Sequence, residues 1–125
     1  MAVAARWLAD KSALSRLPLT EVERRLGPLL VEGLVATCPI VDLEVLFSAR
    51  SLRDYEETLA ERLSLPSFPI TADVTDRAID VQHELAQRGQ HRLAIPDLLI
   101  AAVAELNDLS VLHYDADYDL SLIHI

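Results

Sequence analysis

Residues 95–115 read IPDLLIAAVAELNDLSVLHYD, and this stretch decides the fold class. Pro96 is typical of a helix start, and the residues after it are apolar on nearly every side, which predicts a buried helix that ends near Leu106. Residues 110–114 then have the composition of a short β-strand. A buried helix that leads into a strand is the repeating unit of α/β proteins, whose strands run parallel and whose helices cover both faces of the sheet.

The rest of the chain repeats this alternation. Further strands are predicted at residues 3–9, 34–38 and 68–70, and further helices at 12–17, 21–32, 40–50, 51–63 and 74–89. Pro28 lies inside the second of these helices, which we therefore expect to be divided into two pieces. The pattern predicts a single α/β domain over residues 1–125, with a short parallel sheet and helices on both faces.

Composition limits the classes of protein that remain. With 51% hydrophobic and 25% charged residues, the 125-residue chain is neither a disordered tail nor a membrane protein. Its longest strongly apolar run, residues 98–104, is far shorter than the ~20 residues of a membrane span, and no secretory signal is visible. The single cysteine, Cys38, cannot form an internal disulfide and fits a reducing compartment, so we expect a cytoplasmic protein.

The charge balance is strongly acidic, with 11 Lys and Arg against 20 Asp and Glu, for a net charge of −9. A protein that binds nucleic acid without specificity is normally basic, because it binds by releasing counterions from the phosphates. The exception is an enzyme whose acidic side chains hold divalent cations, since the bound metal reverses the local sign.

The acidic residues follow the predicted strands in a regular way. Asp10 comes directly after the first strand, Glu44 lies early in the helix after the second, and Asp97 lies in the first turn of the buried helix. Asp115 directly follows the last strand, and Asp117 is two residues further on. Each alone has an ordinary explanation as a helix cap, a first-turn acid or a turn residue. Because sites of α/β sheets lie beyond the carboxyl ends of the strands, however, we expect these acids to converge.

Converged carboxylates repel one another unless a cation lies among them, and the cation that prefers oxygen ligands is Mg²⁺ or Mn²⁺. Such a site suits hydrolysis of a phosphodiester by metal-activated water. Ser12, two residues after Asp10, is predicted to hydrogen-bond a ligand carboxylate or a metal-bound water. The four histidines and the lone cysteine lack zinc-ligand spacing, no Gly-rich phosphate loop is present, and Ser12 replaces the second Asp of haloacid-dehalogenase-type phosphatases.

Four segments hold most of these residues: WLADKSAL (7–14), IVDLEVLFSAR (40–50), IPDLLIAA (95–102) and VLHYDADY (111–118). In order and spacing across residues 5–120 they resemble the PIN-domain ribonucleases of the VapC type, the toxin half of bacterial toxin–antitoxin modules. The set of four is a strong signal, although each segment alone is weak.

The resemblance implies a PIN-like α/β/α sandwich and a Mg²⁺- or Mn²⁺-dependent endoribonuclease. It also implies a homodimer, inhibited by a small cognate antitoxin of the VapB type, and a transfer RNA as a reasonable substrate. Asp10, Glu44, Asp97 and Asp115 match the four catalytic, metal-binding acids of the family, and Asp117 matches an accessory acid.

Two features depart from the family pattern. Lys11 stands where Thr is commoner, and residues 120–125 replace the usual short helix and closing strand, which predicts an atypical or truncated C-terminal end. An alternative function is therefore a catalytically silent PIN-fold module that binds a partner protein.

Other positions predict surfaces. Some of the basic residues in the first half of the chain are predicted to line a path for the RNA backbone beside the metals, and at least half of them are expected to be ordinary helix-surface charges. Apolar positions between residues 13 and 63 are predicted to form the antitoxin groove and the dimer contact. The basic set is Lys11, Arg16, Arg24, Arg25, Arg50, Arg53 and Arg62, and the apolar set includes Leu14, Leu17, Val22, Leu26, Leu29, Leu52 and Tyr55.

Overall fold

The fold is built on a four-stranded sheet. The computed structural model of the chain describes residues 5–15, 20–115 and 121–124. The strands are β1 (Trp7–Ala9), β2 (Val35–Ala36), β3 (Ser110–Asp115) and β4 (Ser121–His124). Their spatial order is β2-β1-β3-β4, with β1 parallel to both of its neighbours and β4 antiparallel to β3.

Six helices surround this sheet in the described part of the chain. They are α1 (Lys11–Leu14), α2 (Thr20–Val31), α3 (Pro39–Phe47), α4 (Leu52–Leu63), α5 (Ala72–Ala86) and α6 (Ile95–Leu106). Three of them begin at a side chain that accepts a hydrogen bond from a backbone N–H three residues later: Asp10 at α1, Ser51 at α4 and Thr71 at α5. None of the described helices is long and apolar enough to cross a membrane.

The helices form two layers, one on each face of the sheet. Successive strand residues point to opposite faces, so Leu8 and Ala36 pack with residues of α3, α5 and α6, whereas Ala9 and Val35 pack with residues of α1 and α2. All four strand residues are buried. The structure therefore confirms the predicted α/β/α sandwich, with a parallel three-strand centre.

Helix α6 is buried around most of its circumference between residues 98 and 104, as its apolar composition predicted. Leu98, Ile100 and Val103 are almost completely buried there, and Ile95 and Leu106 at the two ends remain 66% and 47% exposed. Only the ends of this helix are less covered than its composition predicted.

Helix α2 runs without interruption through Pro28, so the predicted division into two pieces is wrong. Proline removes one N–H donor from a helix, here the partner of the Arg24 carbonyl. Val22 and Leu26 before the proline are buried, and Leu29 after it packs in the same core cluster. Tertiary packing on both sides therefore holds the helix together across the missing bond.

The strand predicted at residues 68–70 is also wrong. The chain makes one isolated parallel bridge here, between Thr37 and Ser67. The Thr37 N–H donates to the Pro66 carbonyl at 2.8 Å, and the Phe68 N–H donates to the Thr37 carbonyl at 2.9 Å. Pro66 has no N–H group for the ladder before Thr37 and Pro39 has none for the ladder after it, so the ladder cannot extend in either direction.

The last described strand was not predicted. In β4, Ser121–His124 pairs antiparallel with Leu112–Asp115 of β3, and it forms the edge of the sheet. The segment that was expected to be atypical or truncated therefore supplies an edge strand of the sheet.

Candidate active site

Three of the predicted acids line one cavity. Asp10, Glu44 and Asp97 belong to three separate parts of the chain, yet all contribute to the wall of a cavity of about 310 Å³. Its other lining residues are Lys11, Ser12 and Ser15. The expected convergence of these three acids at the carboxyl end of the sheet is what the structure shows.

Asp10 is held by its local backbone. It follows β1 and caps α1 in an extended conformation. Its Oδ1 accepts a hydrogen bond from the Ser12 hydroxyl at 2.6 Å and another from the Ala13 N–H at 3.2 Å. Its own N–H donates to the Leu112 carbonyl of β3 at 3.0 Å. Both the side chain and the backbone of Asp10 are thus fixed at the end of the central strands.

Glu44 and Asp97 come from helices that pack against each other. Glu44 lies in the middle of α3 and is half-buried, whereas Asp97 lies in the first turn of α6 and is exposed. Pro96 precedes Asp97 in that first turn, where its missing N–H costs no hydrogen bond. The partial positive charge at the start of a helix favours a carboxylate at the position of Asp97.

The remaining predicted acids are described only in part. Asp115 is the last residue of β3 and pairs through its backbone with Ser121, which places its main chain at the carboxyl end of the strand next to β1. Nothing is described of its side chain, and Asp117 lies outside the described residues.

The chemistry of the lining residues fits a hard divalent cation, because carboxylates and hydroxyls are the oxygen ligands that such ions prefer. As they stand, however, no three or more His, Cys, Asp or Glu side chains of the described residues are arranged to hold a metal ion. The lining residues therefore match a divalent cation in the type of their ligand atoms, and they surround a cavity that is open to solvent.

A buried polar network lies next to the site and was not predicted. The Arg62 Nε donates to Asp42 Oδ1 at 2.9 Å, and its guanidinium donates to the Thr37 hydroxyl at 2.7 Å. The Thr37 hydroxyl in turn donates to Asp42 Oδ1 at 2.7 Å. The Arg62 side chain is only 7% exposed. It therefore joins α4 to the start of α3, two residues before Glu44, and its guanidinium is already bonded to Asp42 and Thr37.

A second, mostly apolar cavity of about 440 Å³ adjoins the acidic one. Lys11 and Ser15 line both cavities. Its apolar wall comes from α1, α2, α3 and the segment after α4, through Leu14, Leu30, Val31, Val45 and Leu65.

Part of the predicted apolar surface is core instead. Val22 and Leu26 are fully buried, so they contribute to folding and not to a groove. Leu52 and Tyr55 are exposed, as a contact surface requires, and Leu17 lies outside the described residues.

Cys38 has no role in the chemistry of the site. It precedes α3 and is fully buried. Burial raises the pKa of its thiol above the ordinary value of 9.0, because a thiolate is poorly solvated there. The thiol is therefore protonated at neutral pH and is not a nucleophile.

Comparison with known proteins agrees with this architecture. Residues 6–120 match the PIN domain family. The chain belongs to the PIN-domain family. Within that family it is 45% identical over 116 residues to Ribonuclease VapC21 of Mycobacterium tuberculosis, a match that covers 91% of this chain and 84% of the relative.

A second relative supports the same assignment. Ribonuclease VapC51 of Mycobacterium tuberculosis is 42% identical over 118 residues, which cover 94% of this PIN domain and 86% of the relative. The PIN domain is thus a member of the VapC family, as the four sequence segments indicated.

The fold of this PIN domain also matches solved structures. The crystal structure of VapBC2 from Rickettsia felis, bound to a DNA fragment from its promoter, superimposes with a TM-score of 0.73 at 18% sequence identity. The match covers 90% of this chain and 88% of that chain. At this level of identity the likeness establishes the fold.

Proposed function

We propose that this PIN domain is a Mg²⁺- or Mn²⁺-dependent endoribonuclease and acts as the toxin of a toxin–antitoxin module. The observation that carries the proposal is the convergence of Asp10, Glu44 and Asp97 on one open cavity, from three separate elements of the chain. Membership of the VapC family supports it, because the relatives are named as ribonucleases.

In this proposal, Asp10, Glu44, Asp97 and Asp115 hold one or two cations, and Asp117 assists. A cation bound by these residues would supply activation of a water molecule and positive charge against the negative charge that builds up on the transition state. Ser12 and the Ala13 N–H keep Asp10 oriented through its Oδ1. In the proposed reaction the oxygen of water bonds to phosphorus as the bond to the 3′ oxygen breaks. The water loses a proton and the 3′ oxygen gains one, which leaves a 5′-phosphate and a 3′-hydroxyl.

The proposed partners follow from the relatives and from the apolar surface. Structural neighbours of this fold include VapBC toxin–antitoxin complexes, which supports a cognate VapB-like antitoxin as partner. The 440 Å³ apolar cavity and the exposed side chains of Val31, Phe47 and Leu63 supply surface that a protein partner or a second copy would cover. We propose a homodimer that acts on RNA, with transfer RNA as the first candidate, in the cytoplasm where cellular RNA is found.

The test is cleavage of a total-RNA pool by the purified chain. We expect cuts with Mg²⁺ or Mn²⁺ and none with EDTA. Asp97→Asn keeps the shape of the side chain but removes its charge, and should lower the cleavage rate by at least ~100-fold, because a metal contributes several kcal/mol to transition-state stabilisation.

The matched control is Asp108→Asn, the same change at the opposite end of α6. Asp108 is exposed and has a φ of 58°, a backbone conformation that Asn also tolerates. Its cleavage rate should stay within about twofold of wild type. If a folded protein makes no cuts with any metal, the proposal fails and the silent interaction module replaces it. If Asp97→Asn still cleaves at the wild-type rate, the role of Asp97 is refuted.

A further inference from the structure

The chain contains one lysine, and it lies at the candidate active site. Ten of its eleven Lys and Arg residues are arginines, so Lys11 is unique in the sequence. Lys11 is the first residue of α1, directly after the capping residue Asp10. Its side chain is half-buried and lines both the acidic cavity and the adjoining apolar cavity.

Charge makes this position significant. The acidic cavity brings together three carboxylates, and Lys11 is the only cationic side chain among its described lining residues. The whole chain also carries a net charge of −9. With a single divalent cation bound, three carboxylates still leave a negative charge, which repels a phosphodiester. The ammonium of Lys11 offsets that charge where a phosphate would approach.

The ammonium group is also available. None of the ion pairs between described residues involves Lys11, although Asp10, Glu44 and Asp97 line the same cavity. Arg62 in the neighbouring cavity is different, because its guanidinium is already held by Asp42 and Thr37. A lysine ammonium is compact, carries three donors and sits on a flexible stem, which suits a single non-bridging phosphate oxygen.

We propose that Lys11 binds RNA directly, by donating to a non-bridging oxygen of the backbone phosphate at the acidic cavity. It thereby supplies part of the positive charge that the acidic chain lacks for binding a polyanion. The inference rests on the proposed ribonuclease function and assigns to it a substrate-binding residue.

The first experiment measures kcat/KM for RNA cleavage against salt concentration. Lys11→Gln should lower kcat/KM by about 10-fold or more, the effect of losing a charge-assisted hydrogen bond. It should also make the slope of log(kcat/KM) against log[salt] less steep by about 0.7, the value for one phosphate contact on a single strand. Lys11→Arg keeps the charge and should restore both quantities to within a few-fold of wild type.

The control variant is Arg77→Gln, which removes the same charge from a distant exposed ion pair. Arg77 donates to Glu105 at 3.1 Å, near the end of α6 that is opposite Asp97. Its kcat/KM should change less than about twofold and its salt slope should not change. If the wild type cleaves RNA and Lys11→Gln keeps the same kcat/KM and slope, the role of Lys11 is overturned while the ribonuclease function stands.

A second experiment does not depend on cleavage. Protein labelled with ¹³C-lysine gives a single lysine side-chain Cε–Hε correlation, because the chain has one lysine. In Asp97→Asn protein, which is not expected to cleave RNA, a short single-stranded RNA should shift this correlation along a saturable curve that matches binding measured by fluorescence anisotropy. The proposal is overturned if RNA binds while the Lys11 correlation stays in place, or if no RNA binds at all. This result is decisive for Lys11 whether or not the wild type proves to be a nuclease.

Discussion

At the scale of single residues, Asp10 shows how the sequence builds an acid into the site. It caps α1 through Oδ1, and the same carboxylate group is a predicted metal ligand. Oδ1 accepts from the Ser12 hydroxyl and from the Ala13 N–H, which fixes the plane of the carboxylate. Partners of this kind orient metal-binding side chains and so raise their affinity for the ion.

The first prediction concerns Ser12→Ala. Loss of the 2.6 Å hydrogen bond leaves Asp10 held by the Ala13 N–H alone among the contacts described above. We expect the affinity for Mn²⁺, measured by isothermal titration calorimetry, to fall by about 10-fold. The free energy of unfolding should fall by only about 1 kcal/mol.

Two variants control that measurement. Ser12→Thr keeps the hydroxyl and should retain most of the affinity for Mn²⁺. Ser15→Ala removes a hydroxyl from the same cavity that is bonded to the Ser12 carbonyl at 3.4 Å, and it should have little effect. Unchanged Mn²⁺ affinity in Ser12→Ala would show that Ser12 does not orient Asp10.

At the scale of elements, Arg62 links two helices that the sequence left unconnected. It lies in the last turn of α4, with its side chain 7% exposed, and contacts Asp42 of α3 and Thr37 at the end of β2. Because Glu44 follows Asp42 on α3, this network fixes the helix that carries one of the three acids.

We therefore predict that Arg62→Met destabilises the fold. Methionine replaces the unbranched apolar stem of the arginine, but the loss of the guanidinium leaves Asp42 without its cation. Removing one partner of a buried ion pair costs about 3–5 kcal/mol, and the 24% exposure of Asp42 reduces this to about 2–4 kcal/mol. Urea denaturation followed by circular dichroism measures it.

Arg53→Met is the matched control on the same helix. Arg53 pairs with Glu57 at 3.1 Å, but its side chain is 89% exposed. An exposed pair contributes ~0.5 kcal/mol or less, so this variant should unfold at nearly the wild-type urea concentration. Equal losses in both variants would refute the importance of the buried network.

The elements also show where sequence reasoning works and where it stops. Helical periodicity, with Pro96 as the start signal of α6, predicted α4, α5 and α6 to within three residues of their ends, because these signals are local. The course of α2 through Pro28 depends on the burial of Val22 and Leu26, which only tertiary packing decides. The Arg62 network joins residues far apart in the chain and leaves no periodic signal.

Some features of the candidate active site were likewise predictable from the sequence, and others were not. The rule that sites lie at the carboxyl ends of parallel strands placed Asp10, Glu44 and Asp97 together, and the structure places them around one cavity. The sequence singled out Lys11 only as one of several basic residues. The structure adds that Lys11 is the one cationic side chain among the described lining residues of the acidic cavity.

At the scale of the whole molecule, the net charge of −9 opposes folding, and the acidic cavity concentrates that repulsion. A cation that binds only the folded chain stabilises it. At a concentration 100 times its dissociation constant the gain is about 2.7 kcal/mol, which for a chain of this length raises the melting temperature by roughly 10 °C.

The corresponding measurement is thermal unfolding with and without Mn²⁺. NaCl at matched ionic strength separates specific binding from screening of the net charge. We expect the rise in melting temperature to disappear in Asp97→Asn and to persist in Asp108→Asn. An equal rise in all three proteins would mean that Mn²⁺ binds away from the proposed site.

The order of the strands finally bears on when during synthesis the protein becomes active. β1 is made before the other strands of the sheet, yet it pairs on one side with β3, where Trp7 meets Ser110 about 100 residues later in the chain. The Asp10 N–H likewise cannot donate its hydrogen bond until the carbonyl of Leu112 has been made. A nascent chain therefore cannot complete its central sheet, or fix its first acid, until residues 110–112 have been made. Under the function proposed above, this order of synthesis delays formation of the active site and gives an antitoxin time to meet the chain before the site exists.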